Sequence, residues 1–354
     1  MMELTITRPD DMHLHVRDGE ALTAVVPHSA ACFNRVVVMP NLVPPVTEVD
    51  SAADYRARVR AAVPRARKAD FEPLMTLYLT DRTSVQTVRE ASTHAWIAGF
   101  KLYPAGATTN SDAGVSRIEA IEPVLEAMEE HGVALLVHGE VTHSDVDVFD
   151  REAAFIDQVL SGVRERYPRL RIVFEHITTA AAVAFVRSCD QATAATITPQ
   201  HLLLNRNALF QGGLRPHMYC LPVLKRERDR EALVDAATSG DPRFFLGTDS
   251  APHARSAKES ACGCAGIYSA HAAIELYAEA FEEAGALERL EGFASHFGAD
   301  FYGLPRNRDK ITLRKEAWQV PAAYPFVEQE ALVPFGAGET LTWRRIGDDD
   351  STSG

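Results

Sequence analysis

Two histidines separated by one apolar residue stand near the start of the chain, in the run Met12-His-Leu-His-Val-Arg-Asp18. Side chains alternate faces along an extended strand, so His13 and His15 project to one side and offer a pair of imidazoles to one metal ion. Arg17 follows on that same face. A His-x-His alone is usually incidental. Here, though, other chemically able residues recur at a consistent place, at or near the ends of short apolar runs. Asn41 closes Arg35-Val-Val-Val-Met-Pro-Asn41, and Lys101 sits inside Gly99-Phe-Lys-Leu-Tyr103. His138 ends Val133-Ala-Leu-Leu-Val-His138, His176 ends Arg171-Ile-Val-Phe-Glu-His176, and Asp249 ends Arg243-Phe-Phe-Leu-Gly-Thr-Asp249. A histidine at a strand end is commonly just a satisfied polar residue, and an aspartate after Gly-Thr is commonly a helix cap. Lys101 is harder to explain away, because an unpaired lysine inside an apolar strand is costly.

The apolar runs supply the elements that must hold these groups. Taking the His-x-His segment as the first strand, runs at 35–41, 71–80, 99–103, 133–138, 171–176, 192–201 and 243–249 complete a set of eight. Their continuous apolarity suits parallel strands buried on both faces. Helical patterns fall between them at 51–69 with Ser51 as N-cap, 84–98, 116–131 stopped by Gly132, 151–167, 180–188 and 226–238. A last helix covers 268–284 and ends at Gly285. Strand and helix in alternation predict parallel pairing, and eight units predict a closed (β/α)8 barrel, the TIM barrel of α/β proteins. A strand-like lead-in at 3–7 and short strand-like pieces after Leu304 predict extra strands at the termini. Residues 1–346 are expected to form one domain, and the acidic, apolar-poor 347–354 a disordered tail. Barrel active sites form at the C-terminal ends of the strands. Four histidines, one lysine and one aspartate would then meet at one mouth, a ligand set for two divalent cations.

Bulk properties narrow the function classes. The 354 residues are 46% hydrophobic and 24% charged, an ordinary globular composition with ample core material. A net charge of −13 argues against a nucleic-acid-binding face. Five cysteines at 32, 189, 220, 262 and 264 are odd in number and scattered, so no disulfide framework is implied. Cys262 and Cys264 could form a soft-metal pair, but no second pair stands at zinc-finger spacing, and reduced thiols in a loop are the simpler reading. With no signal core and no apolar run of membrane-spanning length, a cytoplasmic protein without a membrane partner is expected.

Taken in order along nearly the whole chain, these stretches resemble the amidohydrolase superfamily and, within it, the class II (bacterial-type) dihydroorotases. The resemblance is carried by Asp11-Met-His-Leu-His-Val-Arg17, Met39-Pro-Asn41 and Lys101-Leu-Tyr-Pro-Ala-Gly-Ala-Thr-Thr-Asn110. It continues through Leu136-Val-His-Gly-Glu-Val-Thr142, Phe174-Glu-His-Ile-Thr-Thr179 and Thr198-Pro-Gln-His-Leu202. Gly247-Thr-Asp-Ser-Ala-Pro-His253 and Lys258-Glu-Ser-Ala-Cys-Gly-Cys-Ala-Gly266 complete it.

The resemblance implies a metal-dependent hydrolase that interconverts N-carbamoyl-L-aspartate and (S)-dihydroorotate, the third step of de novo pyrimidine synthesis. It implies two zinc ions, one on His13, His15 and Asp249 and one on His138 and His176. Lys101 bridges them as N6-carboxylysine, and Asp249 serves as general acid/base for a zinc-bridged hydroxide. For the substrate it implies contacts from His15, Arg17, Asn41, His138 and His253, with backbone groups of Leu221 and Ala265 against the ring's amide edges. Thr108 and Thr109 would belong to a mobile loop that closes on the site, whose bland alternative is a flexible connection without a catalytic role. A homodimer is implied as well. Two competing readings are a hydantoinase or allantoinase, against which Arg17, Asn41 and His253 argue, and a catalytically dead barrel kept as an assembly partner. The second should have lost ligands, whereas all six metal-binding positions are present.

Overall fold

The computed structural model describes residues 2–346. The proposed tail at 347–354 lies outside the described residues. Eight parallel strands follow one another around a barrel: β2 (Asp10–Leu14), β3 (Arg35–Val38), β4 (Glu72–Leu79), β5 (Ile97–Leu102), β6 (Ala134–Val137), β7 (Ile172–Phe174), β8 (Thr193–Ile197) and β9 (Phe244–Leu246). Each pairs with the next in sequence. Closure from β9 back to β2 comes just past the strand ends, where Asp249 N donates to His13 O (2.9 Å) and His15 N to Ser250 O (3.1 Å). The expected (β/α)8 barrel is therefore present, with its seam running through the His-x-His segment.

The barrel interior is filled by Met12, Val37, Leu74, Leu136, Val173, Ala194 and Phe245, one residue from nearly every strand. That apolar plug fills the barrel below its C-terminal mouth. A larger apolar layer lies between the strands and the surrounding helices, with Val36, Val38, Leu77, Leu135 and Phe174 among its buried members. Before the barrel, β1 (Glu3–Thr7) pairs antiparallel with β10 (Lys310–Gln319). After a small hairpin of β11 (Tyr324–Pro325) and β12 (Ala331–Leu332), β13 (Thr340–Arg345) completes a three-stranded sheet in the order β1-β10-β13. The fully buried Trp343 seats this sheet on the helix Ala273–Glu283, its indole N–H donating to Glu282. Strands were expected at both termini, and both are there.

Several boundaries differ from expectation for identifiable reasons. The second helix runs Val49–Ala62, capped by Glu48, with Ser51 three residues inside as the other half of a capping box rather than as the cap. It stops early because Pro64 holds Val63 extended. The run 192–201 is strand only to Ile197; Thr198 then caps the short helix Pro199–Leu203. An additional helix, Glu20–Cys32, carries Pro27 inside it, which hid it among breaker residues. Arg17 is also not on a strand, since β2 ends at Leu14, and it reaches the mouth through a left-handed turn (φ 57°).

Gly99 shows how tightly the strand bearing Lys101 is set. A Cβ there would lie 2.3 Å from Ala134 O and 2.7 Å from Leu136 Cδ1. Gly99→Ala must push β5 off β6 and should destabilise the fold by about 1–3 kcal/mol. Thermal unfolding reads this directly, and an unchanged Tm would contradict the packing described.

Candidate metal and substrate site

All six residues expected as metal ligands meet at the barrel mouth: His15, His138, His176 and Asp249 lie just beyond strand ends, and His13 and Lys101 one residue inside them. His13 and His15 bring their Nε2 atoms to 3.4 and 3.2 Å from Asp249 Oδ1. These three side chains form a buried group whose ligating atoms lie within 4.8 Å of one another. The His176 ring sits 4.9 Å from that of His13 and 4.8 Å from that of His138, so the two pairs of imidazoles are contiguous. Lys101 is wholly buried among them.

Neighbouring carboxylates and one amide decide which nitrogen each imidazole presents. Glu175 Oε2 accepts from Thr196 Oγ1 (2.6 Å) and faces His13 Nδ1 at 2.8 Å, so His13 carries its proton on Nδ1 and turns a lone pair at Nε2 inward. Asn41 Nδ2 donates to Thr109 O (3.1 Å), which orients its Oδ1 to accept from His15 Nδ1 (2.8 Å). His138 Nε2 donates to Glu140 Oε2 at 3.0 Å, leaving the lone pair on Nδ1. Asp11 ties the seam, its carboxylate accepting from His13 N, Thr248 N and Thr248 Oγ1. None of Glu175, Glu140, Asp11 and Thr196 was read from the sequence as functional. Glu140 had a local signal, two residues after His138; Glu175 had none, since its partner lies 162 residues away.

The electrostatics of the cluster call for a cation. Burial, and then the neighbouring Lys101, drive His13 and His176 well below the usual histidine range, and burial chiefly lowers His15. Neutral imidazole lone pairs therefore face a carboxylate oxygen, acceptor against acceptor, which is unfavourable unless a positive ion stands between them. Burial works to raise Asp249, but His15, His13 and Lys101 around it outweigh burial and keep the carboxyl below its ordinary value. His13 Nε2, His176 Nδ1 and Lys101 Nζ are all buried without a hydrogen-bond partner. Burial lowers Lys101 to about 8, so a neutral, nucleophilic amine is accessible near neutral pH. An unpartnered amine in a ring of ligands is what carboxylation by CO2 would complete. The donor set thus fits divalent metal with a carboxylated lysine. Backbone strain also concentrates here: Arg17, His176 and Asp249 all adopt positive φ.

Beside the cluster, Arg17 donates from Nε to Pro252 O (3.1 Å), with Nη2 2.8 Å from His253 Nε2. That same His253 nitrogen lies 3.0 Å from Ala265 O, yet it cannot accept from the guanidinium and donate to the carbonyl at once. A carboxylate entering beside Arg17 would take over the guanidinium and release Nε2 to donate. Burial, then Arg17, lowers His253 to about 2, so it stays neutral. The central cavity is lined by His15, Arg17, Asn41, His138, His176, Asp249, Leu221 and Ala265, and roofed by Thr108 and Thr109. Its free volume is about 20 Å³, room for roughly one water molecule. Residues 104–114 are therefore folded in over the site, with Asn110 Nδ2 donating to Asn41 O (3.0 Å). A larger depression of about 550 Å³ beside this loop contains no histidine. Tyr103 borders the cavity, and Cys220 is buried nearby; all five cysteines are free thiols. Among the described residues no helix is long and apolar enough to cross a membrane.

Comparison with known proteins agrees with this geometry. Residues 9–333 match the amidohydrolase family. The chain is 62% identical over 346 residues to a dihydroorotase of Alkalilimnicola ehrlichii, covering 98% of this chain and 100% of that one. Among solved structures, the dihydroorotase of Saccharomyces cerevisiae in complex with 5-fluoroorotic acid superposes with a TM-score of 0.90 at 34% identity, covering 98% of this chain and 99% of the other. The dihydroorotase of Campylobacter jejuni gives 0.87 at 36% identity, with 97% of each chain covered.

Proposed function

The chain belongs to the amidohydrolase family, and on that premise we propose how its mouth residues carry out the dihydroorotase reaction. The activity is the reversible cyclisation of N-carbamoyl-L-aspartate to (S)-dihydroorotate and water, a step of pyrimidine biosynthesis. The enzyme is metal-dependent. The observation that carries the assignment is the buried set of lone pairs, carboxylate and unpartnered lysine amine, placed directly beside Arg17.

His13, His15 and Asp249 would hold one zinc ion and His138 and His176 a second, with Lys101, once carboxylated on Nζ, as a shared ligand. Zinc held there supplies a Lewis acid and a water acidified to near neutral pH. Arg17, Asn41 and His253 bind the substrate carboxylate, the planar guanidinium meeting its two oxygens. Backbone groups of Leu221 and Ala265 meet the amide edges of the ring, and His15 and His138 border the reacting carbonyl. In hydrolysis, water adds to the ring carbonyl and the C–N bond breaks; Asp249 takes the proton that water loses and delivers it to the departing nitrogen. Ring closure reverses each transfer. Thr108 and Thr109 exclude bulk water while the loop is folded in, and the loop must open to admit substrate, because the closed cavity holds no ring. Residues 1–346 are proposed to act as one unit, in a cytoplasmic homodimer.

Arg17 separates this reading from other cyclic amidohydrolases, whose substrates lack the carboxylate. Arg17→Met should raise KM for dihydroorotate by roughly 10- to 100-fold, the loss of one charged, bidentate contact. Steady-state kinetics measure it, and an unchanged KM would overturn the substrate assignment.

A further inference from the structure

Lys258 stands outside the machinery described so far, yet it is almost fully buried, with 3% of its surface exposed. Its ammonium donates to Tyr219 O (2.8 Å), Cys264 O (2.7 Å) and Gly266 O (2.7 Å), which uses all three of its hydrogens. Among the described residues no carboxylate pairs with it. Burial lowers it to about 8, the mark of a cation kept out of water without a counter-ion. Such an arrangement is costly, and an apolar side chain would fill the same space more cheaply. The three carbonyls explain what the cost secures.

They belong to two separate segments. Tyr219 lies two residues before Leu221, while Cys264 and Gly266 flank Ala265, and Leu221 and Ala265 both line the central cavity. In an extended segment alternate carbonyls share a side, so drawing the oxygens of residues 264 and 266 toward the ammonium turns that of Ala265 the other way. Ala265 O accordingly faces His253 Nε2 (3.0 Å) and Thr109 Oγ1 (3.4 Å). Gly266 N also donates to Tyr219 O at 3.0 Å, stitching the two segments directly. The fit against residues 251–253 is tight: a Cβ on Gly266 (φ +148°) would lie 2.8 Å from Ala251 Cβ and 2.9 Å from His253 Cδ2.

We propose that Lys258 is a positioning residue for substrate recognition: one buried ammonium pins the two backbone segments that meet the ring's amide edges and, through Ala265, the imidazole of His253. This rests on the reading that Leu221, Ala265 and His253 contact the substrate. Loss of the ammonium then loosens binding and leaves the metal ligands and Asp249 in place.

The test is steady-state kinetics and metal content of Lys258→Met and Lys258→Gln. KM for dihydroorotate should rise about tenfold or more, with kcat within roughly threefold of the parent and metal content unchanged. In Lys258→Cys, alkylation with 2-bromoethylamine rebuilds an ammonium of lysine length, and KM should return toward that of the parent enzyme treated in parallel, which controls for the five native thiols. An unchanged KM in the Met and Gln variants, a loss confined to kcat, or a raised KM in the Cys variant that alkylation does not restore would each overturn the proposal. The cysteine series decides the matter if the Met variant does not fold. Arg17→Met is assayed alongside. If it raises KM while the Lys258 variants do not, only the role of Lys258 fails; if none of them moves KM, the reading of the substrate site fails with it.

Discussion

Lys101→Met is expected to reduce kcat by on the order of 10³-fold or more and to lower the bound metal from the proposed two ions per chain to one or none. Methionine matches the length and apolar stem of lysine, so the barrel around it should remain packed. What disappears is the one nitrogen that can become an anionic bridge. Without it the imidazoles of His13, His15, His138 and His176 still converge, but only Asp249 offset the positive charge of the metals among the proposed ligands. Metal analysis and turnover measured on the same preparation check this. Full metal content with normal turnover would show that Lys101 is a buried structural amine and nothing more.

Asp249→Asn is expected to separate proton transfer from metal binding. The amide keeps an oxygen where the carboxylate oxygen lies 3.2 Å from His15 Nε2, but it cannot take up a proton at neutral pH. General acid–base contributions of this kind are typically about 10²- to 10⁴-fold, and the loss should appear in kcat with KM little changed. The direction with pH follows from the carboxyl being held below its ordinary value: Asp249 remains ionised, and able to accept a proton, at pH values below those at which an ordinary aspartate protonates. A variant with near-normal kcat would move the proton transfer to another group. Read together, the two substitutions divide the site. Lys101→Met strips metal from it, and Asp249→Asn leaves it loaded but slow.

Much of this site is legible in the sequence because barrel geometry converts sequence position into spatial position. A histidine at the end of an apolar run, as at 138 and 176, has few places to be once eight such runs form a parallel barrel. Lys101 was conspicuous for a different reason: an isolated cation in an apolar strand demands an explanation. The groups that aim these ligands were not legible. Glu175 meets His13 across 162 positions of sequence, and Lys258 reaches Tyr219 across 39, separations at which no periodicity carries information. Strand alternation puts Arg17 on the face of His13 and His15, but the strand ends at Leu14 and a left-handed turn carries the side chain to the mouth instead. The segment at 192–201 misled for a local reason, since its apolar character continues past Ile197 while Thr198 and Pro199 begin a helix. Periodicity found the scaffold; hydrogen bonds between distant segments, which it cannot see, finish the site.

The central claim is that one buried lysine, carboxylated, joins two metal ions held by four histidines and an aspartate. A crystal structure of the zinc-loaded enzyme, with data collected at the zinc absorption edge, tests it most directly. The account predicts two anomalous peaks per chain, one beside His13, His15 and Asp249 and one beside His138 and His176, with continuous density from Lys101 Nζ into a carboxylate touching both. A bare Lys101 ammonium, or a single peak served by only one of these sets, would contradict it.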